Sequence, residues 1–543
     1  MWQGIRSSPA GRAATTSTVS LAAACALVLG WGGGTSAAAP AKPNIIMITT
    51  DDQTVRDMAV MPQTQALVGG SGATFTNAFA TYPLCCPSRA TFLTGQYAHN
   101  HNVLGNTAPD GGYALLNDNQ TVPVWMQSAG YHTVHIGKMP NGYGEFDKTY
   151  VPPGWRTPLG EFYGFVPDPP SAYYGFKLNE NGIVKQFEAT DYQTDVYAQK
   201  ANQAINDNLA MRPDTPLFMM LQFFAPHDPA APATRHDGLF SRVPLPTAGK
   251  SFNEKDVGDK PFWLRQTPRM GGGLIAKITN RYRSRLESLL AVDEAVQSIV
   301  NNLFAKGILD NTYIVFTSDN GFMQGQHRLH QGKFVAYDES TKVPLLIRGP
   351  GIPAGTISSE LVSNVDLVPT LVEAGQAAAG VTMDGRSLLP YARDGALRTK
   401  RPILLETGKA IALADPSSAS AAGGKPGGKG KRSKVYVKNS DLDRTAQLSG
   451  RVIKPPKYRA IRTGRYLLIK SSDGGRELYD LAEDPEQVDS VYKDFRYTRV
   501  VKYLLKKLAK LTPCIGSRCN AEIQAPPKLL KERKRKTPKP SKK

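Results

Sequence analysis

The sequence predicts a large α/β sandwich with a mostly parallel central sheet, joined to a smaller C-terminal domain with an antiparallel sheet and a closing helix. Three observations carry this expectation. Near-continuous apolar runs recur before residue 350, as in strands buried on both faces. Helical patterns lie between them, and alternation of strand and helix marks an α/β architecture. Beyond residue 450 the runs shorten and are split by turn residues, as in antiparallel hairpins.

The elements follow in order. Pro43–Thr50 is an apolar strand that runs into Asp51-Asp52. Pro216–Phe224 is a second, followed by Ala225-Pro226-His227. Ala291–Phe304 carries Val292, Ala295, Ile299 and Leu303 on one side, the spacing of an amphipathic helix. Asn311–Ser318 is a third strand, ending in Asp319-Asn320, and Lys342–Arg348 a fourth. Polar residues just past strand C-termini are where such folds place their sites. Gly408–Asn439 is rich in Gly, Ser, Ala and Lys and reads as a flexible insertion. Tyr458–Lys470 reads as a hairpin, Ser472–Gly475 as a turn, Arg476–Leu481 as a strand and Val500–Leu511 as a basic amphipathic helix.

The N-terminus reads as an export signal. Arg6 and Arg12 are followed by the apolar stretch Val19–Trp31 and by small residues at Ser36–Pro40. The expected organisation is a signal peptide over 1–39, a main domain over 40–400, a C-terminal subdomain over 401–520 with its insertion near 415–439, and a basic tail over 521–543. No apolar run after residue 40 is long enough to span a bilayer. The 543 residues carry a formal charge of +20. It is concentrated in Lys425–Lys438 and Lys528–Lys543. Such blocks are commonly solvated; their functional reading is attraction to a polyanion or an anionic envelope. No specific nucleic-acid partner is expected. Of the four cysteines beyond the signal, Cys514 and Cys519 read as a small disulfide loop in an exported chain.

Cys85 and Cys86 open the most informative stretch, Cys85-Cys86-Pro87-Ser88-Arg89-Ala90-Thr91-Phe92-Leu93-Thr94-Gly95. Pro87 suits a first helical turn. A group at that turn meets the positive end of the helix dipole, and Arg89 adds a planar cation suited to an oxyanion. By themselves the two cysteines also fit small buried residues at a turn, or disulfide partners. Asp51, Asp52, Asp319 and Asn320 supply three carboxylates and an amide. That set selects a hard divalent cation, Ca²⁺ or Mg²⁺.

Together these residues resemble the sulfatase family of the alkaline phosphatase superfamily, whose signature is Cys-x-Pro-Ser-Arg followed by an apolar helix and Thr-Gly. The chain is nearest in motif to N-acetylglucosamine-6-sulfatases and bacterial arylsulfatases, and the resemblance runs from Lys42 to roughly Cys519. It implies an alkaline-phosphatase-like fold. It implies that a formylglycine-generating enzyme oxidises Cys85 to formylglycine, whose hydrate is the nucleophile. It also implies that Asp51, Asp52, Asp319, Asn320 and residue 85 hold one divalent cation, Ca²⁺ in preference to Mg²⁺. Lys138, in His135–Gly144, and Lys333, in Gln331–Lys333, match the family's sulfate-contacting lysines, and Arg89 its arginine. His227, in Ala225–Pro229, matches the histidine that contacts sulfate and protonates the leaving alcohol. Many arylsulfatases carry a histidine two residues after the first lysine; here that position is Pro140. Asn141 resembles instead the glucosamine-6-sulfatase branch, which reads Gly-Lys-Tyr-Leu-Asn. His99, His101, His327 and His330 either line the pocket or brace its loops, and His101 and His330 join Asn141 as candidate pocket residues.

The expectation is an exported or envelope-associated sulfatase that acts on an aryl sulfate or a sulfated sugar. The alternatives are a phosphonate monoester or phosphodiester hydrolase of the same fold, and a non-catalytic polyanion-binding protein.

Overall fold

The computed structural model describes residues 42–167, 172–408 and 455–531. The expected signal peptide, the insertion near 415–439 and the end of the basic tail lie outside the described residues. The strands are β1 Asn44–Thr50, β2 Ala73–Phe75, β3 Ala78–Phe79, β4 His132–Gly137, β5 Gly160–Val166, β6 Lys177–Glu180, β7 Ile183–Gln186, β8 Leu217–Gln222, β9 Thr312–Ser318, β10 Leu345–Arg348, β11 Thr356–Ser358, β12 Val362–Ser363, β13 Ile403–Glu406, β14 Tyr458–Arg462, β15 Tyr466–Ser471 and β16 Arg476–Asp480.

A ten-stranded sheet runs in the order β11-β2-β10-β9-β1-β8-β4-β5-β6-β7. Its centre, β9-β1-β8-β4-β5, is parallel throughout. The apolar run at 342–348 departs from that pattern, because β10 lies antiparallel to β9. Residues 319–344, which carry Asp319, Asn320 and Lys333, leave and re-enter the sheet at the same edge, so that Leu345 pairs with Thr317 and no crossover to the far edge is made.

Successive residues of β1 point to opposite faces. Ile45 and Met47 pack with α1 (Cys85–Thr94) and α4 (Leu367–Gly375), whereas Ile46 and Ile48 pack with α2 (Gln193–Met211) and α3 (Gly272–Ala305). The two faces are therefore both covered, which explains the unbroken apolar character of the central strands. The helix expected at Ala291–Phe304 is the second half of α3, whose more polar first half extends the same helix back to Gly272.

The last four strands form a separate antiparallel sheet, β13-β14-β15-β16. Helix α5 (Thr498–Leu511) buries Val500, Val501, Leu504, Leu508 and Leu511 against it. Cys514 and Cys519 are joined by a disulfide, and Cys85 and Cys86 are free and buried. No helix among the described residues is long and apolar enough to cross a membrane.

Candidate active site

Parallel register brings the chemistry to one edge. Thr50 of β1 lies opposite Ser318 of β9, so Asp51-Asp52 and Asp319-Asn320 emerge side by side. On the other flank Thr49 pairs with Gln222 of β8, and Gln222 with Gly137 of β4. Four adjacent strands thus deliver two acidic pairs, Gln222 and the loop to His227, and Lys138 to the same C-terminal edge. Gly137 is required there: its φ is +109°, and a Cβ would fall 2.0 Å from the Gln222 carbonyl oxygen.

Helix α1 begins at Cys85 itself, after the extended Leu84, with all ten of its residues buried. Its third turn closes on Gly95, whose left-handed conformation ends the helix.

Arg89 ties the strand ends together. Its Nε donates to Asp319 Oδ2 at 2.9 Å and its Nη2 to Asp51 Oδ2 at 2.9 Å. Its Nη1 donates to Gln222 Oε1 at 2.6 Å and to the Lys138 carbonyl at 3.0 Å. Lys138 Nζ reaches Asp51 Oδ2 at 2.5 Å. Lys333 Nζ stands 2.5 Å from Asp52 Oδ1 and 2.9 Å from Cys85 Sγ. Cys85 Sγ is also 3.5 Å from Asp51 Oδ1. His227 Nε2 lies 3.9 Å from Asp52 Oδ2, and its Nδ1 donates to the Asp228 carbonyl at 2.8 Å.

These neighbours push the acids apart. Burial alone would raise the Asp51 carboxyl, but Lys138, His227, Arg89 and Lys333 hold it well below the usual range. Asp319 moves the other way: burial and the charge of Asp51 push it up to about 6. Burial and Asp51 also raise the Cys85 thiol, and burial pushes Cys86 up to about 12. Neither sulfur is set up as a thiolate, the reactive form of cysteine.

The residues fit a hard divalent cation. Asp51, Asp52 and Asp319 each place a carboxylate oxygen within 4.8 Å of the others. Asn320 Oδ1 is buried there without a hydrogen-bond partner, and an oxygen in that position is a natural additional ligand.

Residues 43–377 match the family profile described as Sulfatase. The chain belongs to the sulfatase family. Among its relatives, the N-acetylglucosamine-6-sulfatase of Homo sapiens is 33% identical over 511 residues, covering 91% of this chain and 88% of the human protein. The extracellular sulfatase SULF-1 homologue of Drosophila melanogaster is 37% identical over 371 residues, covering 66% of this chain. The sulfatase described here spans only 32% of that fly protein and 48% of a Caenorhabditis elegans Sulf-1 homologue. Among solved structures, BT4656 in complex with its substrate D-glucosamine-2-N,6-O-disulfate superposes with a TM-score of 0.64 at 24% identity, covering 86% of this chain and 97% of that one. This likeness shows the shared fold.

The remaining residues expected at the sulfatase site are placed as follows. Asn141 lies beside α1: its carbonyl is 3.6 Å from Cys86 Sγ, and its side-chain Oδ1 is buried without a hydrogen-bond partner. His101 contacts Thr91 Oγ1 at 3.1 Å and accepts from the Val103 amide, so both ring nitrogens face protein groups. His99 contacts Glu406 and the Cys514 carbonyl, and His327 contacts Glu254 at 2.7 Å. His330 is half-buried in the loop that leads to Lys333.

Three residues were not anticipated. Gln222 binds Arg89, although a polar residue within the apolar run of β8 was a readable signal. Ser88 Oγ donates to the Asp319 carbonyl at 2.5 Å. Arg285, fully buried on α3, donates to the carbonyls of Asp52 and Pro226 and stacks 4.5 Å over Phe322. Nothing in the sequence around Arg285 distinguishes it from the half-buried Arg281 and Arg283.

Proposed function

We propose that this chain is an exported sulfatase that hydrolyses a sulfate ester on a sugar, with formylglycine made from Cys85 as its nucleophile. The observation that carries the reading is the position of Cys85 Sγ. It sits in the first turn of α1, between Asp51 and Lys333, beside three clustered carboxylates. Its raised thiol pKa makes unmodified cysteine a poor nucleophile there.

As its hydrate, formylglycine supplies one hydroxyl for attack on sulfur and a second through which the aldehyde returns. A divalent cation held by Asp51, Asp52, Asp319 and Asn320, Ca²⁺ in preference to Mg²⁺, supplies Lewis-acid neutralisation of sulfate charge. The chain's own residues do the rest. Arg89 fixes Asp51 and Asp319, and so orients the edge against which residue 85 reacts. Lys333 donates to an atom at the Cys85 Sγ position, and with Lys138 it offsets charge that builds on the sulfate oxygens. Because the Nδ1–H of His227 is committed to the Asp228 carbonyl, Nε2 is the atom that carries a proton to the leaving alcohol. Water is consumed; the alcohol and sulfate leave.

The identity to human N-acetylglucosamine-6-sulfatase and the unpartnered Asn141 amide oxygen support a 6-O-sulfated glucosamine as substrate. The extracellular names of the insect and nematode relatives, and the disulfide at Cys514–Cys519, support export. Cys85 has no exposed surface, so its oxidation by a formylglycine-generating enzyme must precede closure of the fold.

The test is the mass of the Cys85-containing peptide from protein made in its own host, with turnover of N-acetylglucosamine 6-sulfate measured alongside. A thiol-to-aldehyde change is expected. Cys85→Ala should lower turnover on the order of 10⁴-fold or more and leave the unfolding transition in place. Wild-type-like turnover by that variant sinks the reading. A faster rate on an aryl phosphonate than on an aryl sulfate would change the ester class.

A further inference from the structure

The apolar face of α5 is buried on the C-terminal sheet, but its opposite face is cationic. Arg499, Lys502, Lys506 and Lys510 are exposed. At 100° per residue they fall within an arc of about 80° and extend over about 17 Å. The segment after the disulfide loop returns along the helix. Tyr503 Oη donates to the Gln524 carbonyl at 2.6 Å, the Leu530 amide donates to the Arg496 carbonyl, and Leu529 packs against the same core. This strap places exposed Lys528 and Lys531 near the start of the stripe. No acidic residue occurs from Arg499 to Ala521, and none of these six cations forms an ion pair among the described residues. Ordinary solvated helices interleave charges of both signs. This face does not.

We propose that the outer face of α5, with the Lys528–Lys531 end of the strap, is a docking surface for a sulfated polysaccharide chain, separate from the site that cleaves the ester. The proposal rests on the sulfatase reading above, which makes a sulfated glycan the polyanion this protein meets. A linear stripe of one sign matches a linear polyanion, and binding would release condensed counterions, as for other polyelectrolytes. A bilayer is a poorer fit. A helix that lies on a membrane inserts its apolar face, and here Val500, Val501, Leu504, Leu508 and Leu511 are already buried in the protein. Docking a chain here would raise the local concentration of its sulfate esters at the active site, as a tethered second site does.

The test uses the full chain and heparin as the probe. Affinity is measured against salt concentration for wild type, for the triple variant Lys502→Glu, Lys506→Glu, Lys510→Glu, and for a chain lacking residues 532–543. Turnover of N-acetylglucosamine 6-sulfate is followed in parallel. The triple variant should bind heparin about tenfold more weakly or worse at about 0.15 M salt, with a shallower salt dependence. Its monosaccharide turnover should stay at the wild-type level. Unchanged heparin affinity in the triple variant overturns the proposal. So does loss of all binding on removal of 532–543 alone, or tighter binding to phosphatidylserine vesicles than to heparin. Loss of heparin binding with turnover intact separates the surface from the active site. Wild-type protein that binds heparin but never turns over the monosaccharide would keep the surface and sink the sulfatase reading on which its purpose rests.

Discussion

Two buried clusters of charge in the same architecture differ in how they are balanced. At the seam with the C-terminal sheet, Arg401 forks onto both oxygens of Asp366, which also accepts from the Ser363 and Arg386 amides. Burial would lower the Arg401 pKa, but Asp366 raises it above the usual arginine range. At the strand edge, three carboxylates crowd among Arg89, Lys138 and Lys333. There Asp319 is pushed up by burial and by Asp51, and the Asn320 amide oxygen has no partner. The first cluster sets one carboxylate against one guanidinium, the balance a structural ion pair needs to offset its desolvation. The second crowds three carboxylates together, the pattern of a site rather than a strut.

Exchanging one cation in each cluster gives the largest expected difference. Lys333→Ala and Lys138→Ala should each lower turnover about 10²–10³-fold, read from initial rates on N-acetylglucosamine 6-sulfate. Arg401→Ala should leave turnover per folded molecule unchanged and cost about 3–5 kcal/mol of stability, because it strands a buried carboxylate. Urea denaturation separates the two outcomes. If Lys333→Ala kept its rate and lost stability as Arg401→Ala does, the strand-edge cluster would be structural as well.

The next contrast is dependence on a divalent ion. Chelation should lower the unfolding midpoint of the wild type, and returning Ca²⁺ or Mg²⁺ should restore it. An ion at a hundredfold excess over its Kd stabilises by about 2.7 kcal/mol. Asp319→Asn should lose that response, whereas Arg401→Ala should retain it. The readout is the ion-induced shift, so the loss of the Asp319–Arg89 bond itself does not confuse it. A response in Asp319→Asn equal to that of the wild type would remove Asp319 from the ligand set.

What could be read in the sequence follows from range. The central strands announce themselves because both faces are buried, and the acids at their ends stand out against that apolar background. Cys85, Arg89, Lys138, His227 and Lys333 were singled out through the resemblance of their motifs to those of sulfatases, and the structure brings all five to one edge. The antiparallel entry of β10 was not legible, because Lys342–Arg348 has the same apolar content in either direction. Gln222 and Arg285 were missed for a related reason. Gln222 stood out as a polar residue in an apolar run, but the partners, Arg89 for Gln222 and the Asp52 carbonyl for Arg285, lie far along the chain, and no local pattern names them. The bracing contacts of His99 belong to the same class: Glu406 and Cys514 come from parts of the chain more than 300 residues away.

That histidine offers the finest test of the seam. Burial lowers the His99 pKa, but its bond to Glu406 more than offsets this and raises it. Burial raises Glu406, and His99 with Arg459 more than offsets that and lowers it. The Glu406 contribution to stability is therefore present above the ordinary value of 4.5 and is lost as pH falls through its lower folded value. The His99 contribution is complete below 6.5 and is lost as pH rises through its raised folded value. The pair should stabilise most between those limits. His99→Gln should cost about 1 kcal/mol in that window, and the difference from wild type should shrink on the alkaline side. Denaturation midpoints of the two proteins across pH measure it. A gap that stays constant from acid to alkaline pH would mean that the ring contributes shape and neutral hydrogen bonds alone. The seam would then be held by Arg401 and Arg459 without a titrating partner.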